Sequence, residues 1–284
     1  VLTALGTGVG CQLGMALDEQ YVYWSEEGSR IAVARVPKAG GERQQLVECD
    51  DLPWELSVNS TSVFWSEGNF TTTRIRTVPK VGGTATDVLT LAGEALSVVA
   101  NDTRVNFVTG PFGDDHDVRS VTVAGDDAIT HGQSEGSFDP RRLVVTDSDL
   151  YWTSNGSEIR TATLTGTEQR AFAAADVSSM TRMGEALYVI VGSTGAQSIQ
   201  RILIDNGQIT PMYSGAEVAG RLAASDTTLY FATSESLYVF EMPATPPRKL
   251  LTTKSNIGFV VADASGVYIA LNRSGGQGFI VKVQ

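Results

Sequence analysis

Only two histidines, His116 and His131, occur in the 284 residues, so acid-base chemistry by imidazole has few places to sit. His116 lies in GPFGDDHDVRS, where Asp114, Asp115 and Asp117 crowd around it in sequence. Carboxylates at that density make a candidate site for calcium or another divalent cation, the one cofactor this chain suggests. Their spacing is not that of a calcium-binding loop, and hard cations take six or more oxygens. A solvated acidic turn accounts for the same residues.

No Gly-x-Ser-x-Gly turn, Walker-type phosphate loop or His-Glu-x-x-His helix is present, so no catalytic residue is assigned. Acids recur after aromatic segments, as Glu26 and Glu27 in YVYWSEE and Glu67 in VFWSEG. Repetition of this kind points to turn stabilisation, or alternatively to an acidic ring that draws cations or a basic partner. Cys11 and Cys49 are the two cysteines, without the Cys-x-x-Cys spacing of zinc or redox sites. They are a disulfide candidate if their Cβ atoms lie close, and two separate buried thiols otherwise.

The elements that hold these residues come from an internal repeat. Residues 18–41, DEQYVYWSEEGSRIAVARVPKAGG, and 59–83, NSTSVFWSEGNFTTTRIRTVPKVGG, are two copies of one unit. Its aromatic segment returns as VNFVT, LYWTS, LYVIV, LYFAT and VYIAL, giving seven copies. Aligned on Trp24, the positions are Trp24, Trp65, Phe107, Trp152, Val189, Phe231 and Ile269. They recur at intervals of roughly 40 residues, a period typical of propeller blades. The stretch after Ile269 and the stretch leading up to Trp24 together make a seventh interval of the same size, as a closed ring requires.

Repeats of this length made of short strands predict an all-β, seven-bladed β-propeller with four antiparallel strands per blade. In the first repeat these are 13–17, 21–25, 31–36 and 44–47, from the channel outward. The second strands are apolar throughout, as sheets covered on both faces are. Pro37-Lys38-Ala39-Gly40-Gly41 and Pro79-Lys80-Val81-Gly82-Gly83 read as hairpin connections between third and fourth strands. The last repeat has only three strands. Residues 1–9 supply its outer strand, because LTALGTG resembles KLLTT at the outer strand of the sixth repeat. The whole chain is then one propeller domain, with repeats at about 10–49, 50–91, 92–134, 135–173, 174–214, 215–254 and 255–284. Repeats three and five depart most from the pattern, so a six-bladed ring is the alternative.

The motifs YVYWSEEGSRIAVARVPKAGG, SVFWSEGNFTTTRIRTVPKVGG and LYWTSNGSEIRTATLTG resemble YWTD-type and NHL-like propeller repeats, especially those of bacterial secreted and cell-envelope proteins. The resemblance covers essentially the whole chain and is specific in repeats one, two and four. It implies a binding scaffold outside the cytoplasm, secreted, periplasmic or at the cell surface. Propeller enzymes of the gluconolactonase and streptogramin-lyase type build sites from residues scattered over several blades. Those families share only the fold with this chain, and two histidines suit the lyases poorly.

A net charge of -11 opposes binding to nucleic acid or anionic membrane, which need clustered Lys and Arg. Residues 1–17 are uncharged, but Gly6, Gly8, Gly10 and Gly14 make a poor helix and no basic segment precedes them, so no membrane insertion is expected. The chain begins at Val1, compatible with a processed, exported protein. Asn59, Asn69, Asn101, Asn155 and Asn272 head Asn-x-Ser/Thr sequences that turn chemistry explains without glycans.

Propellers commonly bind at the face where one blade leads into the next and second strands lead into third. There the ligand-binding candidates are Trp54, Arg141 and Arg221, entering innermost strands, with Phe70 and Phe112 in the loops. Trp54 falls outside the repeated aromatic position. An exposed Trp beside the channel suits a sugar ring or a protein hot spot, whereas a buried one would plug the channel or pack between blades. Arg141 and Arg221 could clamp a carboxylate. These features predict a monomeric scaffold for a protein or carbohydrate ligand; the alternative is a metal-assisted hydrolase or lyase with its site at the channel mouth.

Overall fold

All seven side chains aligned on Trp24 are fully buried, and each belongs to the second strand of a four-stranded antiparallel sheet. The computed structural model describes residues 2–9, 11–27, 30–69, 71–110, 116–134, 143–154, 158–174, 176–193, 195–215, 218, 220–241, 246–272 and 278–283. Blade one runs outward through Cys11–Leu17, Tyr21–Glu27, Ile31–Pro37 and Gln44–Glu48. The innermost strands of blades two to six begin at Pro53, Glu94, Leu143, Ser179 and Arg221. Repeats three and five, the faintest in sequence, form complete blades, so the ring has seven and not six.

Blade seven takes three strands from the C-terminal end, Asn256–Asp263, Gly266–Asn272 and Gly278–Val283, and its outer strand from Leu2–Val9. The closing pair is antiparallel, with Leu2 opposite Val283 and Thr7 opposite Phe279. The buried apolar side chains fall into one cluster at each of the seven seams between blades. At the closing seam Leu5, Tyr268 and Ile280 pack on Met15, Trp24 and Val36. This arrangement explains the second strands: a blade buried on both faces has no polar side to alternate with.

Two devices repeat along the seams. Every outer strand carries a one-residue bulge against its third strand. The extra residue is Leu46, Val88, His131, Gln169, Met212 and Leu250 in blades one to six, and Leu5 in blade seven. Turns of the next blade settle on these bulges. Gly83 donates its N–H to Leu46 O at 3.2 Å. Gly125, at φ +91°, approaches so closely that a Cβ would lie 2.0 Å from Val88 O.

The second device is the lysine of the Pro-Lys-x-Gly-Gly turns, which the sequence presents only as a hairpin residue. Lys80 of blade two reaches back to Asp18 of blade one at 2.7 Å and lies over the Tyr23 ring. Tyr23 itself donates to Asp18 at 2.8 Å. Burial pushes the Asp18 carboxyl up, but Lys80 and the N–H groups of Tyr21 and Gln20 outweigh it and bring the pKa down to about 2. Lys38 repeats the contact across the ring closure, bonding Asp263 of blade seven and lying over Tyr268.

Candidate functional site

Because innermost strands start where one blade leads into the next, the blade-to-blade connections and the second-to-third loops share one face of the ring. Among the described residues, bulges of the innermost strands gather in one arc of that face. The innermost strands of blades seven, one, two and three carry bulges, at Ile257/Phe259, Gln12/Gly14, Pro53/Leu56 and Leu96/Val99. The described parts of those in blades four, five and six, Leu143–Val145, Ser179–Met183 and Arg221–Ala224, keep an unshifted register. Bulges re-aim side chains and collect beside functional sites. The bulged arc spans four consecutive blades.

Trp54 sits in the bulge of blade two and is 40% exposed, whereas Trp24, Trp65 and Trp152 are fully buried. Its backbone is held on three sides. Pro53, buried, fixes φ ahead of it. Ser25 of blade one donates its hydroxyl to Trp54 O at 3.2 Å. Gly14 admits that carbonyl, since a Cβ there would come within 2.4 Å of it. The exposure of Trp54 is thus built by its surroundings and does not result from a slack loop.

Arg221 opens the innermost strand of blade six on the same face, with its guanidinium 4.1 Å from the centroid of Phe259 in blade seven. Trp54 and Arg221 therefore both lie at the channel mouth, in blades two and six. Phe70, Phe112 and Arg141 lie outside the described residues.

The acids after the aromatic segment do not form an open ring. Glu26 and Glu67 stand two residues after Trp24 and Trp65, on the same strand face, and are buried. They accept the indole N–H at 2.6 and 2.8 Å. Arg43 neutralises Glu26. Arg74 and Arg76 both reach Glu67 at 2.8 Å. The Trp-Ser-Glu motif therefore sets a buried, arginine-paired carboxylate beside Trp24 and Trp65.

His116 opens the third strand of blade three, so Asp117, the next residue, points to the opposite sheet face. Gln133 lies 3.4 Å from Asp117 as a donor. His116 instead reaches over Gly110 toward Glu94, with Nε2 3.8 Å from the carboxylate. Asp114 and Asp115 lie outside the described residues, and no group of three metal-ligating side chains occurs among the described ones.

His131 is the bulge residue of blade three, where blade one has Leu46. Ser120 Oγ lies 2.8 Å from its Nε2, and Gly166 O of blade four 2.8 Å from its Nδ1. A serine beside a histidine could be half of a nucleophilic pair, but both are buried. Arg104 Nε also donates to Ser120 Oγ at 2.9 Å. Burial, together with the nearby Arg104 charge, pushes the His131 pKa down. On the ring's flank a shallow groove of about 440 Å³ passes between blades three and four, lined by His131, Gln133, Arg160 and Glu168 among others. Sequence reasoning missed it, because its two walls come from different blades and share no local motif.

The cysteines do not meet. Cys11 pairs with Glu27, Glu27 with Ile31, and the Cys49 N–H donates to Ile31 O. They stand on opposite edges of blade one, three strand spacings or about 14 Å apart, beyond the roughly 7 Å limit for bridged Cα atoms. Cys49 is a buried free thiol, pushed up to about 12 by burial and by Glu67.

Fold and channel mouth together define a seven-bladed β-propeller. No protein-family model and no curated protein matches the sequence. Among solved structures it is similar to YCF48 bound to D1 peptide, at 14% identity and TM-score 0.70, over 100% of this chain and 94% of that one. It is also similar to BamB from Moraxella catarrhalis, at 12% identity and TM-score 0.62 over 97% and 84%. A chain of a nidogen/laminin complex matches at 16% identity and TM-score 0.58 over 72% and 80%. These likenesses are of fold. No helix among the described residues is long and apolar enough to cross a membrane.

Proposed function

We propose that the chain is a binding scaffold outside the cytoplasm, secreted or attached to the cell envelope, which holds a partner against the bulged arc of its channel mouth. The observation that carries this reading is Trp54, an exposed aromatic whose backbone is fixed by Pro53, Ser25 and Gly14. A rigid exposed aromatic binds at low entropic cost. Two of the similar structures were solved as polypeptide complexes, YCF48 bound to D1 peptide and a nidogen/laminin complex, which supports a protein ligand over a sugar. The likeness of the repeats to envelope propellers supports the location.

Pulldown from a native extract beside a glycan array tests the reading, each run with the parent protein and Trp54→Ala. A ligand retained by the parent and lost by the variant is expected. Blank results in both, or equal retention by Trp54→Ala, would remove the proposal.

A further inference from the structure

We infer that Asn206 is a site of covalent modification, spontaneous deamidation with water as co-reactant, and that blade four gates it. Asn206 and Gly207 lie in the turn between the third and outer strands of blade five, Ser198–Leu203 and Ile209–Ser214. In the reaction the backbone nitrogen of Gly207 attacks the side-chain carbon Cγ of Asn206. The N–Cγ bond forms, the Cγ–Nδ2 bond breaks, and the amide group leaves as ammonia with the proton that Gly207 gives up. Water then opens the five-membered imide at one carbonyl or the other. One product is aspartate; in the other the backbone continues through the side chain and is longer by a methylene.

Both reacting groups are laid out in the turn. Asn206 is exposed, and its Oδ1 accepts the Gln208 N–H at 2.8 Å. That bond folds the side chain back over its own turn and polarises the carbonyl under attack. Packing demands glycine at the next position: Gly207 has φ +72°, and a Cβ on it would lie 2.8 Å from the Phe172 ring of blade four. The same missing Cβ leaves the nitrogen unhindered. What holds the reaction back is the proton on that nitrogen. Gly207 donates its N–H to Leu203 O at 2.8 Å, so the nitrogen becomes a nucleophile only after this bond opens and the proton leaves.

The turn that makes this bond is clamped from outside. Arg170, on the outer strand of blade four, lies over Phe172 at 5.0 Å from the ring centroid. Its guanidinium donates to Asp205 O at 2.7 Å and to Ile204 O. Freeing the Gly207 N–H therefore means lifting the turn off blade four, and Asn206 records each such opening irreversibly. Conversion sets a new carboxylate beside Asp205, and the added methylene lengthens the turn that Arg170 grips.

The test incubates the folded protein at mildly alkaline pH and follows Asn206 by mass spectrometry after arginine-specific digestion, which releases it in peptide 202–221. The chain's other Asn-Gly pair, Asn155-Gly156, falls in peptide 143–160 and does not interfere. Free peptide 202–221 supplies the ungated rate. In the folded protein Asn206 should convert about tenfold or more slowly than in the free peptide, since only the opened fraction reacts. Arg170→Ala should raise the folded-state rate about 2- to 10-fold, the worth of a net hydrogen bond, with Arg170→Lys in between. Gly125→Ala weakens the seam between blades two and three instead and should leave the rate unchanged. Conversion as fast in the folded parent as in the peptide overturns the inference. So does an Arg170→Ala protein that converts no faster than the parent. Equal acceleration by Gly125→Ala and Arg170→Ala assigns the reaction to global unfolding and overturns the gate.

Discussion

Glu67 has no exposed surface and accepts from Trp65, Arg74 and Arg76 together. Removing it strands an indole N–H and leaves Arg76, 12% exposed, facing a seam without its central partner. Breaking a buried pair from one side costs about 3 to 5 kcal/mol, so Glu67→Ala should lose roughly that much in urea unfolding. Arg248 and Glu241 are paired at 2.9 Å with both side chains more than 60% exposed, and Arg248→Ala should change stability by less than about 1 kcal/mol. His131 gives a pH signature. Its folded-state pKa lies below the unfolded value, so the unfolded chain binds the proton first. Its contribution is complete above about pH 6.5 and is lost as pH falls below that. His131→Leu, which restores the side chain found at Leu46, should flatten this part of a stability-against-pH curve. An unchanged slope would mean that His131 is not the group titrating.

Glycines of the third-to-fourth turns separate backbone strain from packing at the scale of the element. Gly40 and Gly125 have nearly the same φ, +90° and +91°, but a Cβ on Gly40 meets nothing within 4 Å while one on Gly125 strikes Val88 O. Gly40→Ala should cost about 1 kcal/mol in conformational strain. Gly125→Ala should cost at least about 1 kcal/mol more, because an outer strand must move. Chemical denaturation of the two variants measures the difference directly. What was legible in sequence follows the same division. Strand identity depends on local apolar runs, so Tyr21–Glu27 and its six counterparts could be read, even in blades three and five. The bulges, the Gly125 contact and the Lys80–Asp18 bond depend on the adjoining blade, a full repeat or more away along the chain, and leave no local pattern. Trp54 could be singled out because it breaks the repeat. That His116 and Asp117 face opposite sides of the sheet follows from their adjacency on one strand.

For the whole molecule, closure is the cooperative step. Leu2–Val9 pairs with Gly278–Val283, Leu5 enters the seam cluster, and Lys38 bonds Asp263 beside it. Deleting residues 1–9 should lower the melting temperature sharply, since it removes the outer strand of blade seven and opens the cluster around Trp24. An unchanged melting temperature would contradict the register of Leu2 on Val283.

The outer-strand bulges also govern how copies of this molecule treat one another. Seven outer strands line the rim, and a strand edge with free N–H and C=O groups invites another chain to add itself. Here each edge is broken near its middle, with Leu46, Val88 and His131 turned inward and the neighbouring turn set against them. In blade one only Gln44–Gln45 and Val47–Glu48 remain in register on either side of the break. An incoming strand would find two short stubs and no continuous template, so a molecule ringed by sheet edges resists fibril growth and edge-to-edge aggregation without a helix to cover them.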